Sequence, residues 1–153
     1  MNFVEFVTES NRVEGILRPP TDAEVEATAR FVRNPEPPTL LALIGLCSEY
    51  TNGHGHLRER FGMNVRVGTH LPPKGGPAIE RQLKELLINI GTSDPFTFHV
   101  AYEILHPFMD GNGRTGRALW AWRMYHFQPE MLELGFLHAF YYQALADARP
   151  RQQ

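Results

Sequence analysis

The stretch from residue 106 to residue 117 constrains the fold most, because it separates two apolar helical patterns. Before it, Ser93–Asp94–Pro95 is typical of a helix start, with a capping side chain followed by proline at the first helical position. The helix must break near Pro107, since proline clashes with the preceding turn. A second helical pattern begins near Gly113. The sequence therefore predicts a tight junction between two helices.

Most of the remaining sequence also repeats at helical spacing, and a last helix is expected over residues 134–145. Thr21 and Glu24 have the spacing of a capping box, which predicts another helix start. Only residues 56–73 differ, because residues 64–68 alternate at period two, which favours a single short β-hairpin. The expected fold class is mainly α, a helical bundle with one short hairpin.

The composition is that of a soluble globular chain, and the 153 residues fit one domain. Fifteen basic and 17 acidic residues give a net charge of −2, which argues against a nucleic-acid partner. No apolar stretch approaches the ~20 residues of a membrane span, so no membrane partner is expected. The start resembles no secretory signal, which predicts a cytoplasmic location and leaves delivery as an effector open. The single Cys47 lies in an apolar run and is expected to be buried and inert.

The chemistry of the junction is indicated by its two arginines. Arg114 and Arg117 are three residues apart near a helix N-terminus, where they repel each other and the helix dipole disfavours both. Both costs vanish if an anion lies between the guanidinium groups and the outward N–H groups of the first turn. Glycines at 111 and 113 would allow close backbone approach. This pattern predicts a polyphosphate site.

Three other side chains complete that prediction. Asp110 is a hard oxygen ligand suited to Mg²⁺ bound together with phosphate oxygens. Asn112 is able to donate to a phosphate oxygen. His106 titrates near neutral pH in its free form, and its position beside the phosphate site makes it a candidate general base.

Three generic alternatives explain the junction less well. Residues 111–116 match G-x-G-x-x-G, but that fingerprint should follow a strand, and the preceding segment has a helical pattern. A calcium loop starting at Asp110 would need an oxygen ligand, a glycine and a glutamate at the positions of Arg114, Thr115 and Ala121, respectively. A glycine-rich connection without function accounts for the glycines but not for the arginines.

Residues 106–117, His-Pro-Phe-Met-Asp-Gly-Asn-Gly-Arg-Thr-Gly-Arg, match H-P-F-x-[D/E]-G-N-G-R-x-x-R at every specified position. In this the chain resembles the Fic family of nucleotidyl transferases. Upstream, residues 65–73 fit the family pattern V-x-V-G-x-H-x-P-P, and the resemblance covers roughly residues 56–125. It implies a Fic-like bundle whose core helices, residues 95–125, surround the motif loop.

The resemblance implies transfer of AMP from ATP to a protein hydroxyl. His106 would take the proton of the target side chain, and Asp110 would hold Mg²⁺ against the α- and β-phosphates. Gly111–Asn112–Gly113 would cradle the phosphates. Arg114 would contact the β-phosphate and Arg117 the γ-phosphate.

The resemblance also implies a flap, residues 56–73, that holds an extended segment of the target. Val65, Val67, Gly68 and His70 are the flap residues expected to take part. The implied partners are ATP and a target protein with a serine, threonine or tyrosine hydroxyl; a homodimer stays an open alternative.

A second family feature lies near the start of the chain. Residues 10–15, Ser-Asn-Arg-Val-Glu-Gly, fit the inhibitory motif [S/T]-x-x-x-E-[G/N], which makes residues 1–16 an inhibitory helix segment. By resemblance, Ser10 and Glu14 belong to this motif, and Glu14 would pair with Arg117. A carboxylate and a phosphate compete for one guanidinium, so Glu14 would keep the γ-phosphate from docking productively.

Three other functions stay open at this point. Glu14 could orient a water that removes AMP from a modified protein, the donor could be UTP or another phosphorylated ligand, or the chain could be a non-catalytic nucleotide-binding module. His54 and His56 lack further ligands at suitable spacing and predict a solvated turn. Residues 58–60 are expected to form a solvated strand, with contact to a partner as the alternative, and His99 is expected to be structural.

Overall fold

The computed structural model describes residues 1–132, which form six α-helices and one short 3₁₀-helix. In chain order these are α1 (Phe3–Val13), α2 (Asp22–Arg33), α3 (Leu40–Tyr50), α4 (Pro77–Ile88), α5 (Pro95–Leu105), α6 (Asn112–Phe127) and the 3₁₀-helix Pro129–Met131. The mainly α class is therefore confirmed for this part of the chain. The helix predicted over residues 134–145 lies outside the described residues.

Local sequence signals set the helix starts. Thr21 and Glu24 form the complete capping box at the start of α2, in which each side chain accepts from the backbone N–H of the other. Asp94 accepts from Thr97 N at 2.9 Å and caps α5, with Pro95 at the first helical position. Both predicted starts are confirmed. Thr39 caps α3 in the same way by accepting from Ala42 N.

Helix α6 forms the centre of the fold and packs against α1, α2, α3 and α5. Every residue from 114 to 122 is buried, so this part of the helix has no solvent-exposed face. Buried polar groups need hydrogen-bond partners, and Trp122 Nε1 donates to the carbonyl oxygen of Asn34 at 2.8 Å. Arg114 lies in the first turn of this central helix and Arg117 in the second. None of the helices within residues 1–132 is long and apolar enough to span a bilayer.

The predicted β-hairpin is not confirmed, because residues 56–73 form no strand. Their only β-type pairings are two isolated bridges, Val67 with His70 and Leu57 with Phe108. The first bridge closes a tight turn, with Val67 and His70 each donating a backbone N–H to the other's carbonyl. Two residues outward, Val65 would have to pair with Pro72. Proline has no N–H to donate, so the ladder ends after one bridge.

Candidate active site

The motif loop joins the end of α5 to the start of α6 and is held by Asn112. The side-chain amide of Asn112 donates from Nδ2 to Phe108 O at 2.7 Å, and its Oδ1 accepts from Phe108 N at 2.8 Å. Phe108 itself is fully buried. This clamp closes the loop over four residues. The Asn112 side chain therefore shapes the loop, and the phosphate contact expected of it stays a prediction.

His106 is the residue at which α5 ends, and it adopts a left-handed backbone conformation with φ 49° and ψ 65°. This conformation is common at helix ends, but it is normally taken by glycine. A non-glycine residue there is held by its surroundings. His106 N donates to Tyr102 O at 2.9 Å, and its carbonyl accepts from Arg58 Nε at 2.7 Å. The residue is half-buried and its side chain borders a cavity.

That cavity has a volume of about 340 Å³ and is lined by His106, residues 109–114, Glu14 and Ile16. It brings together the candidate base, the glycines of the motif and Asp110. The Asp110 side chain is exposed, and its Oδ1 accepts from Gly111 N at 2.8 Å, which leaves a second carboxylate oxygen for a cation.

A divalent cation at this cavity would rely on few protein ligands. No group of three or more histidine, cysteine, aspartate or glutamate side chains within residues 1–132 is placed to hold a metal ion. Mg²⁺ commonly binds through one or two carboxylates together with phosphate oxygens and water. Asp110 fits that mode. His54 and His56 are exposed, in agreement with the solvated turn expected there.

The two motif arginines lie in different surroundings. Arg114 borders the cavity, and its Nη1 donates to the carbonyl oxygen of Tyr50, whose ring it also approaches. Arg117 is 2% exposed. Among residues 1–132, it does not line this cavity. Glu14, which does line it, covers Arg117 instead.

The contact between α1 and Arg117 is made by Ser10 and Glu14. Arg117 Nη2 lies 2.7 Å from Glu14 Oε1 and 3.0 Å from Ser10 O, and Arg117 Nε donates to Ser10 Oγ at 2.8 Å. The Glu14 side chain is 38% exposed, whereas that of Arg117 is buried. A methyl group added at Gly113 would clash with Glu14 Oε1. The carboxylate therefore rests against the first turn of α6.

The turn that ends α1 directs Glu14 towards this place. Gly15 has φ +75°, a conformation that favours glycine, and Ile16 N donates to Asn11 O at 3.0 Å. Asn11 is buried, and its Nδ2 lies 3.4 Å from Glu24 Oε2 on α2.

Glu24 joins α1 to α2 from a nearly buried position, 2% exposed. Burial alone would raise its pKa, but hydrogen bonds from Arg18 and from Thr21 outweigh that effect and lower the pKa to about 2. Arg18 Nη1 donates to Glu24 Oε1 at 2.7 Å. The carboxylate therefore stays charged at neutral pH and anchors the segment that carries Glu14.

The flap residues named from the sequence divide into two groups. Val65 and Val67 are half-buried and Gly68 is exposed, so their backbone lies near the surface. His70 is 6% exposed, and its Nε2 lies 3.0 Å from Ile104 O at the end of α5. The His70 side chain therefore faces inward and ties the flap to α5, and a part of His70 in target docking stays a prediction.

The solvated strand expected at residues 58–60 is wrong for Arg58, which is fully buried. Its guanidinium donates to the carbonyl oxygens of Leu105, His106, Met63 and Pro73 at 2.7–3.1 Å. Sequence patterns gave no signal of this role, because all four partners are main-chain atoms. An arginine flanked by charged residues looks like a surface residue.

Two other sequence interpretations are confirmed. Cys47 is buried, and burial raises its pKa to about 12, so the thiol is inert at neutral pH. Its Sγ donates to Asp110 O at 3.2 Å beneath the motif loop. His99 is 1% exposed within the core, and its Nε2 lies 3.8 Å from Glu103 Oε1.

Together these features define a helical domain in which a histidine at the end of one helix and the glycine-rich start of the next border one cavity. The sequence model of the Fic/DOC family matches residues 39–123, more than half of the chain, so the chain belongs to this family. The family generally transfers nucleotides or other groups to proteins, which supports a transferase. The matched part includes the flap and the motif loop, whereas α1 with Ser10 and Glu14 precedes it. Comparison with curated proteins gave no match.

Proposed function

We propose that this chain is a protein adenylyltransferase that moves AMP from ATP to a hydroxyl group of a target protein and is autoinhibited by Glu14. The observation that supports this most is the 2.7 Å contact between Glu14 Oε1 and Arg117 Nη2 at the edge of the motif cavity. A carboxylate is the protein group most similar to a phosphate in charge and hydrogen bonding. Glu14 therefore marks where an anion fits.

In the proposed reaction the hydroxyl oxygen of the target attacks the α-phosphorus of ATP. His106 takes the hydroxyl proton as general base, the bond between the α-phosphorus and the bridging oxygen breaks, and pyrophosphate leaves. Arg114 and the N–H groups at the start of α6 stabilise the phosphate charge. Mg²⁺, held by Asp110 and the phosphates, would supply further charge neutralisation.

Inhibition follows from the place of Glu14 in front of Arg117. The terminal phosphate of ATP reaches the buried guanidinium only after the carboxylate leaves, because Glu14 and not Arg117 lines the cavity. The carboxylate also lies against Gly113, which would cradle the phosphates. ATP would bind in the inhibited state with its terminal phosphate displaced, so that its α-phosphorus is out of line with the attacking oxygen.

The flap is the proposed docking place for the target. Its surface-facing backbone near Val65, Val67 and Gly68 would pair with an extended target segment through main-chain hydrogen bonds, as in β-augmentation. Such docking would be tolerant of target sequence. We place the protein in the cytoplasm, or in a recipient cell if it is delivered as an effector.

The proposal is tested by incubating the wild-type chain, Glu14→Gly and Glu14→Gly/His106→Ala with Mg²⁺ and ATP labelled at the α-phosphate. We expect label on protein, self-labelling included, to rise in Glu14→Gly and to disappear in the double variant. Label that persists without His106 would contradict the proposed base. Label equal in wild type and Glu14→Gly would contradict the autoinhibition.

A second candidate function is removal of AMP from a modified protein. It is favoured by the partial exposure of Glu14, whose carboxylate borders the same cavity as His106 and could orient a water there. Glu14→Gly separates the two functions, because it should raise transfer but abolish removal. Replacing ATP by UTP in the same assay tests another donor. A biological role that is unchanged in the His106→Ala variant would identify a non-catalytic nucleotide-binding module.

A further inference from the structure

Arg58 is a fully buried cation outside the motif. The whole residue is inaccessible to solvent, and it forms no ion pair with any residue in the described part of the chain. Burial lowers the pKa of its guanidinium from the ordinary value. A buried charge without a counter-charge is expensive unless hydrogen bonds replace its water.

Four of the five N–H groups of this guanidinium donate to main-chain carbonyls. Nε donates to His106 O at 2.7 Å and Nη2 to Leu105 O at 2.8 Å, both at the end of α5. Nη1 donates to Met63 O at 3.1 Å and Pro73 O at 2.8 Å, on the two sides of the flap turn. One planar group therefore joins the flap to the residue proposed as the base.

The end of α5 needs such a partner. The last carbonyls of a helix have no intrahelical donors, and a positive charge there is favoured by the helix dipole. The backbone N–H of Arg58 also donates to Pro107 O, and His70 Nε2 lies 3.0 Å from Ile104 O. Four consecutive carbonyls, residues 104–107, are thus contacted by donors from the flap segment.

The same contacts hold His106 in its left-handed conformation. That backbone state is unfavourable for a residue with a side chain, and its carbonyl is fixed by Arg58 Nε. A shift of the flap turn would move Met63 O or Pro73 O, tilt the planar guanidinium and release the carbonyls on its other edge. Lysine provides the charge but not this rigid fork.

We propose that Arg58 is a positioning residue that couples the flap to His106, so that the base is correctly oriented only when the flap is in place. This inference rests on the proposed function in assigning a base to His106. Docking of a target segment on the flap would then stabilise the reactive orientation of the histidine. The coupling links target binding to catalysis through the interior of the molecule.

The test uses the full chain with Arg58→Lys, which keeps the charge, and Arg81→Lys as a control at an exposed arginine on α4. Gly75→Ala perturbs the same connection from the flap side, because an added methyl group would clash with the carbonyl oxygens of Met63 and Arg60. Amide hydrogen exchange is followed for the flap at His70 and at Gly76, whose N–H donates to Arg58 O in the flap, and for the motif loop at His106 and Met109. Each of these four amides has a hydrogen bond to lose.

We expect both Arg58→Lys and Gly75→Ala to raise exchange about tenfold in the flap and in the motif loop together, which corresponds to the loss of about one hydrogen bond. Arg81→Lys should change neither. Faster exchange in the flap with an unchanged motif loop would overturn the coupling. So would faster exchange that extends equally to α2 and α3, because that indicates a general loss of stability.

A kinetic measurement separates positioning from mere structure. In the Glu14→Gly background, Arg58→Lys should lower the maximal rate of label transfer about tenfold and leave the dissociation constant of ATP within about twofold. An equal loss in ATP affinity would contradict a positioning role. If Glu14→Gly transfers no label, the proposed function fails, while the exchange measurement still decides the coupling.

Discussion

Two segments far from the motif in sequence contact it by different chemistry. The end of α1 reaches Arg117 chiefly through side chains, with Glu14 38% exposed and the ion pair open to the cavity. The flap reaches the end of α5 through Arg58, which is fully buried and bonds only to main-chain carbonyls. One contact is accessible to a competing anion and the other is part of the interior.

This difference separates a regulatory contact, Glu14 with Arg117, from a structural one, Arg58 with the end of α5. The Glu14 carboxylate is partly exposed and regains water when it leaves, and a ligand phosphate can replace its charge at Arg117, so this ion pair is released at a smaller cost than the contacts of Arg58. A buried guanidinium with four acceptors is costly to disturb, because every carbonyl that loses it stays buried. We therefore expect Glu14 to control activity without controlling the fold, and Arg58 to affect both.

The largest expected effect is on stability. Arg58→Met leaves buried carbonyls without donors and should lower the free energy of unfolding by about 3–5 kcal/mol. Glu14→Gln should lower it by less than about 2 kcal/mol, because glutamine still offers an acceptor to Arg117. Urea unfolding followed by circular dichroism measures both variants, and similar losses would remove the distinction between the two contacts.

The next effect is on activity. Glu14→Gln keeps the size of the side chain but removes its charge, which should raise the rate of AMP transfer about 10–100-fold, the equivalent of a charge-assisted hydrogen bond. Glu5→Gln, at an exposed position on the same helix, is the matched control and should leave the rate unchanged. A rate for Glu14→Gln at the wild-type level would show that the charge is not what inhibits.

Acid should lower the free energy of unfolding by protonating Glu24, which anchors α1 to α2. Its pKa is lowered to about 2 in the folded chain from the ordinary value of 4.5, so the folded state binds fewer protons than the unfolded state. Its contribution is complete above pH about 4.5 and is lost as the pH falls towards about 2. We expect a loss of up to about 3 kcal/mol over this window. Glu24→Gln should flatten that part of the stability profile, and an unchanged slope would contradict the anchor.

The smallest expected effect is that of Ser10. Ser10→Ala removes the hydroxyl acceptor for Arg117 Nε but leaves the Glu14 ion pair, so transfer should rise only about threefold. The same labelling assay measures it. An increase as large as that for Glu14→Gln would mean that the position of α1, and not the carboxylate, blocks the site.

The parts of the molecule that the sequence predicted well depend on local chemistry. Thr21 with Glu24, and Asp94 with Pro95, satisfy helix starts with residues next to them in sequence, so their spacing was sufficient. The helix break before Pro107 is local in the same way. The contact of Glu14 with Arg117 joins residues 103 positions apart, and only the family resemblance suggested it.

The parts that the sequence did not predict depend on distant main-chain partners. Alternation at residues 64–68 suggested a hairpin, but the ladder fails at Pro72, and Arg58 takes the carbonyls of Met63 and Pro73 instead. The contacts of the His70 and Asn112 side chains with the backbone of residues 104 and 108 were not predicted either. Every residue has a main-chain carbonyl, so the sequence does not indicate which carbonyl accepts a hydrogen bond. These contacts are therefore visible only in the structure.

The central claim is that the Glu14 carboxylate occupies the guanidinium that would otherwise hold the terminal phosphate of ATP. Calorimetric titration of the wild-type chain and Glu14→Gln with ATP and with AMP, in the presence of Mg²⁺, tests it directly. The account predicts that Glu14→Gln tightens ATP binding about tenfold and leaves AMP binding unchanged, because AMP has no phosphate to place at Arg117. Equal changes for both nucleotides, or no change for ATP, would contradict it.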